Sequence, residues 1–133
     1  VITAVDSNVL LAIFSNSPGF ADRSARAIRR QLAAGSVVAC SMVWAEVATF
    51  FPKPDDLLGV MKTIDVGFLV DSPETAVQAA RAWKLYKSAG GKRERLLADF
   101  IIAAHAQTQC DCLLTRDKGF YKNYFKGLKV IEP

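Results

Sequence analysis

The chain has 133 residues, of which 51% are hydrophobic and 23% charged, with a formal net charge of +4. That length suits one domain able to bury an ordinary core without disulfide or metal support. Its apolar runs are broken by charge or glycine well short of the roughly 20 residues that cross a bilayer. The opening Val1-Ile2-Thr3-Ala4-Val5 is too short for a signal peptide and lacks a basic flank, so a cytoplasmic protein is expected.

Thr3-Ala4-Val5 reads as a buried strand ending on Asp6-Ser7-Asn8, and Val9–Phe14 as an apolar helix for which Asp6 or Ser7 can serve as cap. Ser15-Asn16-Ser17-Pro18-Gly19 breaks the chain. Residues 21–34 suit a helix with Ala25, Ile28 and Leu32 on one face, stopped by Gly35. Val37–Cys40 is a second strand, with Ser41 as N-cap of a helix whose stripe is Val43, Val47 and Phe50 and from which Glu46 projects. Pro52 and Pro54 end that helix, and another from Asp55 or Asp56 carries Leu57, Leu58 and Met61 to about Ile64. Val66–Val70 is a third strand, closed by Asp71-Ser72-Pro73-Glu74, a local helix start that keeps Asp71 out of any site. The helix Glu74–Ser88 is expected to turn Val77, Ala80 and Leu85 inward, with Trp83 and Tyr86 alongside, before Ala89-Gly90-Gly91 opens a flexible basic loop.

Leu97–Ala106 then reads as a short buried helix with Asp99 in its first turn, where the helix dipole favours a negative charge. Cys112-Leu113-Leu114 is a fourth strand, running into Thr115-Arg116-Asp117. A turn comes next at Asp117-Lys118-Gly119, and Lys129-Val130-Ile131 closes as an edge strand. Strands alternating with helices imply an α/β domain with a largely parallel sheet and helices on both faces. The three cysteines, Cys40, Cys110 and Cys112, read as reduced buried hydrophobes, because Cys-x-Cys is neither a redox pair nor a zinc knuckle by itself.

Open parallel sheets place their sites at the carboxyl edge of the strands. A helix crossing back between parallel strands starts on that same edge, so Asp99 and Asp117 should converge there. Asp6 follows a strand directly, and Glu46 lies just over one turn into a helix that leaves another. Each acid also has a separate structural explanation as cap or surface group. Four carboxylates close together raise each other's pKa unless a cation offsets them. Oxygen-only ligands favour Mg2+ or Mn2+, which polarise a phosphoryl oxygen and activate water. His105 lies six residues after Asp99, about 240° further round the helix, and so points away, into the core or to the surface. No Asp-x-Asp phosphatase motif and no glycine-rich phosphate loop is present. Positive charge flanks the Asp99–Asp117 stretch on both sides: Arg81, Lys84, Lys87, Lys92, Arg93 and Arg95 before it, and Arg116, Lys118, Lys122, Lys126 and Lys129 in and after it. A phosphate-bearing substrate or a plain solvated surface accounts for this equally well.

Taken in order, Val5-Asp6-Ser7-Asn8-Val9-Leu10-Leu11, Ala45-Glu46-Val47, Leu97–Ala104 and Leu114-Thr115-Arg116-Asp117 resemble a PIN domain, and within that family the small VapC-type toxins of toxin–antitoxin pairs. The resemblance implies a single PIN domain over residues 1–133, a three-layer α/β/α fold with a mostly parallel central sheet of about four to five strands. It implies a Mg2+- or Mn2+-dependent endoribonuclease with Asp6, Glu46, Asp99 and Asp117 as the acidic, metal-holding site. Asn8 and Thr115 match positions that orient acids or bound water, and Ser7 stands where threonine is more usual. A homodimer and an antitoxin partner whose C-terminal segment covers the site are further implications. On this reading Arg93, Arg95 or Arg116 steadies the RNA backbone. A housekeeping PIN nuclease of RNA processing and a degenerate PIN domain acting as a binding module are the alternatives. Trp44, Phe51, Phe120 and Tyr121 read equally as base-stacking or core aromatics.

Overall fold

The sheet is built on two strands that are apolar on both faces. In the computed structural model, which describes residues 1–91 and 96–133, β1 (Ile2–Val5) is buried from Thr3 onward and β4 (Cys112–Leu114) throughout. Continuous rather than alternating burial is what a parallel strand covered by helices on both sides requires. Five strands line up in the order β3-β2-β1-β4-β5, with β2 at Ser36–Ala39, β3 at Val66–Phe68 and β5 at Val130–Ile131. Every pairing is parallel, and Thr3 lies between Val37 and Cys112. Seven helices among the described residues flank the sheet in an α/β/α arrangement: α1 (Ser7–Phe14), α2 (Phe20–Ala34), α3 (Ser41–Ala48), α4 (Asp56–Thr63), α5 (Pro73–Ser88), α6 (Leu97–Gln109) and α7 (Lys118–Tyr124). No helix among the described residues is long and apolar enough to cross a membrane.

Local chemistry sets the element ends. Asp6 caps α1, its Oδ1 accepting from the Ser7 N–H at 2.7 Å. Ser72 caps α5, accepting from the Thr75 N–H at 3.2 Å, with Pro73 at the first helical position. Asp71 does not cap: its Oδ2 accepts from the Ser41 hydroxyl at 3.1 Å. Ser41 in turn is the first residue of α3, whose cap position is Cys40. Gly35 ends α2 and lies against the start of β1, where a Cβ would run into the Val1 carbonyl.

The main departures from the sequence reading concern which face an apolar residue takes. On α5 the buried residues are Thr75, Ala79, Ala82 and Tyr86, while Val77 and Leu85 are exposed. Three of these four are small, which lets α6 pack closely along the face, and Tyr86 adds bulk at its C-terminal end, against Phe100. Phe50 lies beyond the end of α3 and is exposed, as is Leu58 on α4. The third strand stops at Phe68, and Phe68 and Val70 are exposed because β3 is an edge strand. Where the sequence suggests only a turn at Asp117–Gly119, α7 runs from Lys118 to Tyr124. Its aromatic residues are the cause: Phe100 of α6 meets Trp83, Tyr86, Phe120, Tyr124 and Phe125 at centroid distances of 5.2 to 6.4 Å, locking α5, α6 and α7 together.

Candidate functional site

The carboxyl ends of β1 and β4 lie side by side, Val5 opposite Leu114, with the Asp6 N–H bonded to the Leu114 carbonyl at 2.9 Å. Asp6 and Thr115 therefore emerge together at the carboxyl edge. The Thr115 hydroxyl donates to Asp6 Oδ2 at 2.8 Å and accepts from the Asp117 N–H at 3.1 Å and from Asn8 Nδ2 at 3.3 Å. Asn8 Nδ2 also lies 3.4 Å from Asp6 Oδ2, while Asn8 Oδ1 accepts from the Arg116 N–H at 3.1 Å. One amide and one hydroxyl thus tie the first acidic turn to the last.

Tyr121 completes this network. It is 1% exposed, and its hydroxyl donates to Asp6 Oδ2 at 3.1 Å. Of the four aromatic residues open to base stacking, it is therefore excluded by burial. Its donor role was not legible in the sequence; the available signal is its place one helical turn beyond Asp117. The same burial, together with the charges of Asp6, Asp99 and Asp117, holds its phenol far above the ordinary range. Tyr121 stays a donor.

Asp6 is 5% exposed, and burial pushes its carboxyl up to about 6, against the lowering effect of Thr115, Tyr121 and the Ser7 N–H. The nearby charge of Asp99 pushes the same way as burial. Asp99 itself reaches back to the N-terminus of α6, its Oδ2 accepting from the Leu96 N–H at 3.1 Å. Phe100, fully buried beside it, fixes that first turn. Glu46 is joined to the cluster through Ser7, whose hydroxyl donates to Glu46 Oε1 at 2.7 Å. Asp117 heads α7 next to Thr115. Asp6, Asn8, Thr115 and Asp117 are linked directly or through Thr115, Glu46 through Ser7, and Asp99 through the field. Arg93 and Arg95 lie outside the described residues.

Among the described residues, no three His, Cys, Asp or Glu side chains are gathered closely enough to hold a metal ion between them. The donor chemistry still suits a hard cation: oxygen ligands only, around a buried carboxylate whose partners among the described residues are all neutral donors. A cation is what would keep Asp6 ionised beside Asp99.

The remaining titratable candidates are inert. His105 is buried, with Nε2 3.0 Å from the Leu69 carbonyl, and burial lowers its pKa. Burial also pushes Cys40 up to about 11 and Cys110 up to about 12, so neither thiol is a nucleophile at neutral pH.

A family model described as PIN domain matches residues 3–126. No curated protein matches the chain. Among solved structures, VapBC2 from Rickettsia felis bound to a DNA fragment from its promoter superposes with a TM-score of 0.76 at 17% identity, covering 99% of this chain and 98% of that one. VapBC-1 from nontypeable Haemophilus influenzae gives 0.74 at 16% identity, with 99% and 98% covered. FitAcB from Neisseria gonorrhoeae gives 0.66 at 22% identity, with 97% and 96% covered. At these identities the shared property is the fold.

Proposed function

This chain belongs to the PIN domain family, a family of nucleases, and from that premise we propose that it is a Mg2+- or Mn2+-dependent endoribonuclease that acts as the toxin of a toxin–antitoxin pair. The observation that carries the proposal is Asp6, a buried carboxylate held by neutral donors and pressed by a second acid. Such a group is costly to keep unless it has a cationic partner in use.

Asp6, Glu46, Asp99 and Asp117 would hold the ion. When bound, the ion supplies a polarised phosphoryl oxygen and a water activated for in-line attack. The protein's own part is positional. Thr115, Asn8 and Tyr121 fix the Asp6 carboxylate, Ser7 holds Glu46, and Leu96 with Phe100 fixes the turn that presents Asp99. Arg116, exposed between Thr115 and Asp117, is placed to take an RNA phosphate.

The likeness to VapBC assemblies supports an antitoxin partner, and a homodimer and a cytoplasmic setting are further parts of the same proposal. Co-purification with a small protein encoded next door, and light scattering of the purified chain, test the first two. The spread of the acids favours one rival, a PIN domain that binds without cutting. Incubating purified protein with mixed structured RNA in Mg2+, in Mn2+ and in EDTA decides between them. Cleavage that needs metal and disappears in Asp99→Asn is expected. Cleavage that persists in that variant would overturn the site. Failure of both cleavage and Mn2+ binding by calorimetry would leave the binding module.

A further inference from the structure

The rim of the acidic edge carries a second arrangement that the acids do not explain. Phe20, the first residue of α2, is 37% exposed. The Arg116 guanidinium lies 3.7 Å from its ring centroid, and that of Arg23 lies 4.7 Å from it. Arg116 directly follows Thr115, which bonds Asp6, and its backbone N–H is held by Asn8 Oδ1 at 3.1 Å. Arg23 also donates from Nε to the Gly19 carbonyl at 3.1 Å. Among the described residues, no carboxylate lies within ion-pair distance of either arginine.

An arginine free in solvent samples many rotamers. One laid on an aromatic ring gives up much of that freedom while its in-plane N–H groups remain available for a phosphate. Here one aromatic ring gathers two such cations, beside acids that would otherwise repel a polyanion. Planar guanidinium and aromatic surfaces beside unpaired positive charge are what single-stranded RNA uses for stacking and backbone contact. An acidic peptide would use the charge but has no need of the planes.

We propose that Phe20, Arg23 and Arg116 form the subsite for the nucleotide adjoining the scissile phosphate of a single-stranded RNA. Arg116 meets the backbone phosphate, and the Phe20–arginine stack offers the plane against which the base rests. The inference rests on the ribonuclease reading and deepens it by assigning where the strand leaves the acids.

The test is fluorescence anisotropy of a labelled single-stranded RNA in EDTA, so that binding is read without cleavage, across a salt series. Parent, Arg116→Ala, Arg116→Lys, Phe20→Leu and Arg23→Ala are compared, with thermal melting as the check on folding. Arg116→Ala should bind about tenfold more weakly, with a log–log salt slope shallower by about 0.7, the value for one single-strand phosphate contact. Arg116→Lys should restore the slope but not the full affinity. Phe20→Leu should weaken binding roughly threefold with the slope unchanged. If the parent binds and cleaves RNA while Arg116→Ala and Phe20→Leu match it in affinity and slope, the subsite is wrong and the ribonuclease reading survives. If the parent neither binds nor cleaves RNA, both fall. Loss of binding to a synthetic acidic peptide, with RNA affinity intact, would overturn the subsite in favour of a protein contact.

Discussion

Two polar clusters sit inside this fold, and they are built on opposite principles. Between α5 and α6 the Ser72 N–H donates to Gln109 Oε1 at 2.9 Å. Thr75 Oγ1 meets Thr108 Oγ1 and Gln109 Oε1, both at 2.6 Å, and Gln109 Nε2 donates to the Val70 carbonyl at 2.9 Å. Beside them Gln78 Nε2 donates to Gln107 Oε1 at 2.9 Å, and Gln107 Nε2 to the Lys126 carbonyl at 3.0 Å. Every group named is neutral and bonded within the network, and the charged Arg81 touches it at its exposed rim, where Nη1 donates to Gln78 Oε1 at 3.5 Å. At the carboxyl edge, neutral donors converge instead on a charge they cannot cancel, with more carboxylates around it. A closed neutral network holds helices together. The charge that the other leaves outstanding is what the proposed cation would offset.

The comparison breaks most visibly at Asp99. Asp99→Asn keeps the shape and an acceptor for the Leu96 N–H, so melting should hardly change. Metal-dependent RNA cleavage should fall roughly a hundred- to a thousandfold. Parallel cleavage and melting assays would show it, and equal rates would make the acidic edge another structural cluster.

A second difference is pH dependence. Asp6 titrates near 6 in the folded chain against an ordinary 3.8. Between those values the folded state holds the extra proton. Stability of the metal-free protein is therefore lowest above pH 6 and rises as pH falls from about 6 towards 3.8, by up to about 3 kcal/mol at 1.36 kcal/mol per pKa unit. Urea unfolding in EDTA from pH 7 to 4.5 should show this trend relative to Asp6→Asn, and saturating Mn2+ should flatten it. An identical pH dependence in the variant would remove Asp6 as the source.

The neutral cluster should behave the other way. Thr75→Val, at a fully buried position, should cost about 1–3 kcal/mol in urea unfolding, because it removes the two bonds from Thr75 Oγ1 to Gln109 and Thr108, each worth about 0.5–1.5 kcal/mol, while the cleavage rate holds. Smaller again, Tyr121→Phe should cost about 1 kcal/mol. Its mark is a weaker Mn2+ affinity by calorimetry, since Asp6 loses one of the donors that fix it. Unchanged Mn2+ binding would reduce Tyr121 to packing.

Much of this was legible along the chain, because strand burial, helix starts and acid placement depend on near neighbours. Thr3–Val5 and Cys112–Leu114 read as short buried strands, and acids that directly follow such strands lie at their carboxyl edge. His105 had to turn away from Asp99 by helical geometry alone, and it lies buried against the Leu69 carbonyl. The face of α5 was not legible. Thr75, Ala79, Ala82 and Tyr86 face inward only because α6 packs closely there, and a hydropathy pattern favours Val77 and Leu85 instead. Contacts between distant parts of the chain were equally hidden. Tyr121 to Asp6, Ser7 to Glu46 and Arg116 to Phe20 exist because the strand order seats β1 between β2 and β4. Sequence determined which residues are the candidates for the chemistry, since charge and periodicity belong to the chain itself. Tertiary structure decided which residues hold them in place, since a hydrogen-bond partner is chosen by proximity in space.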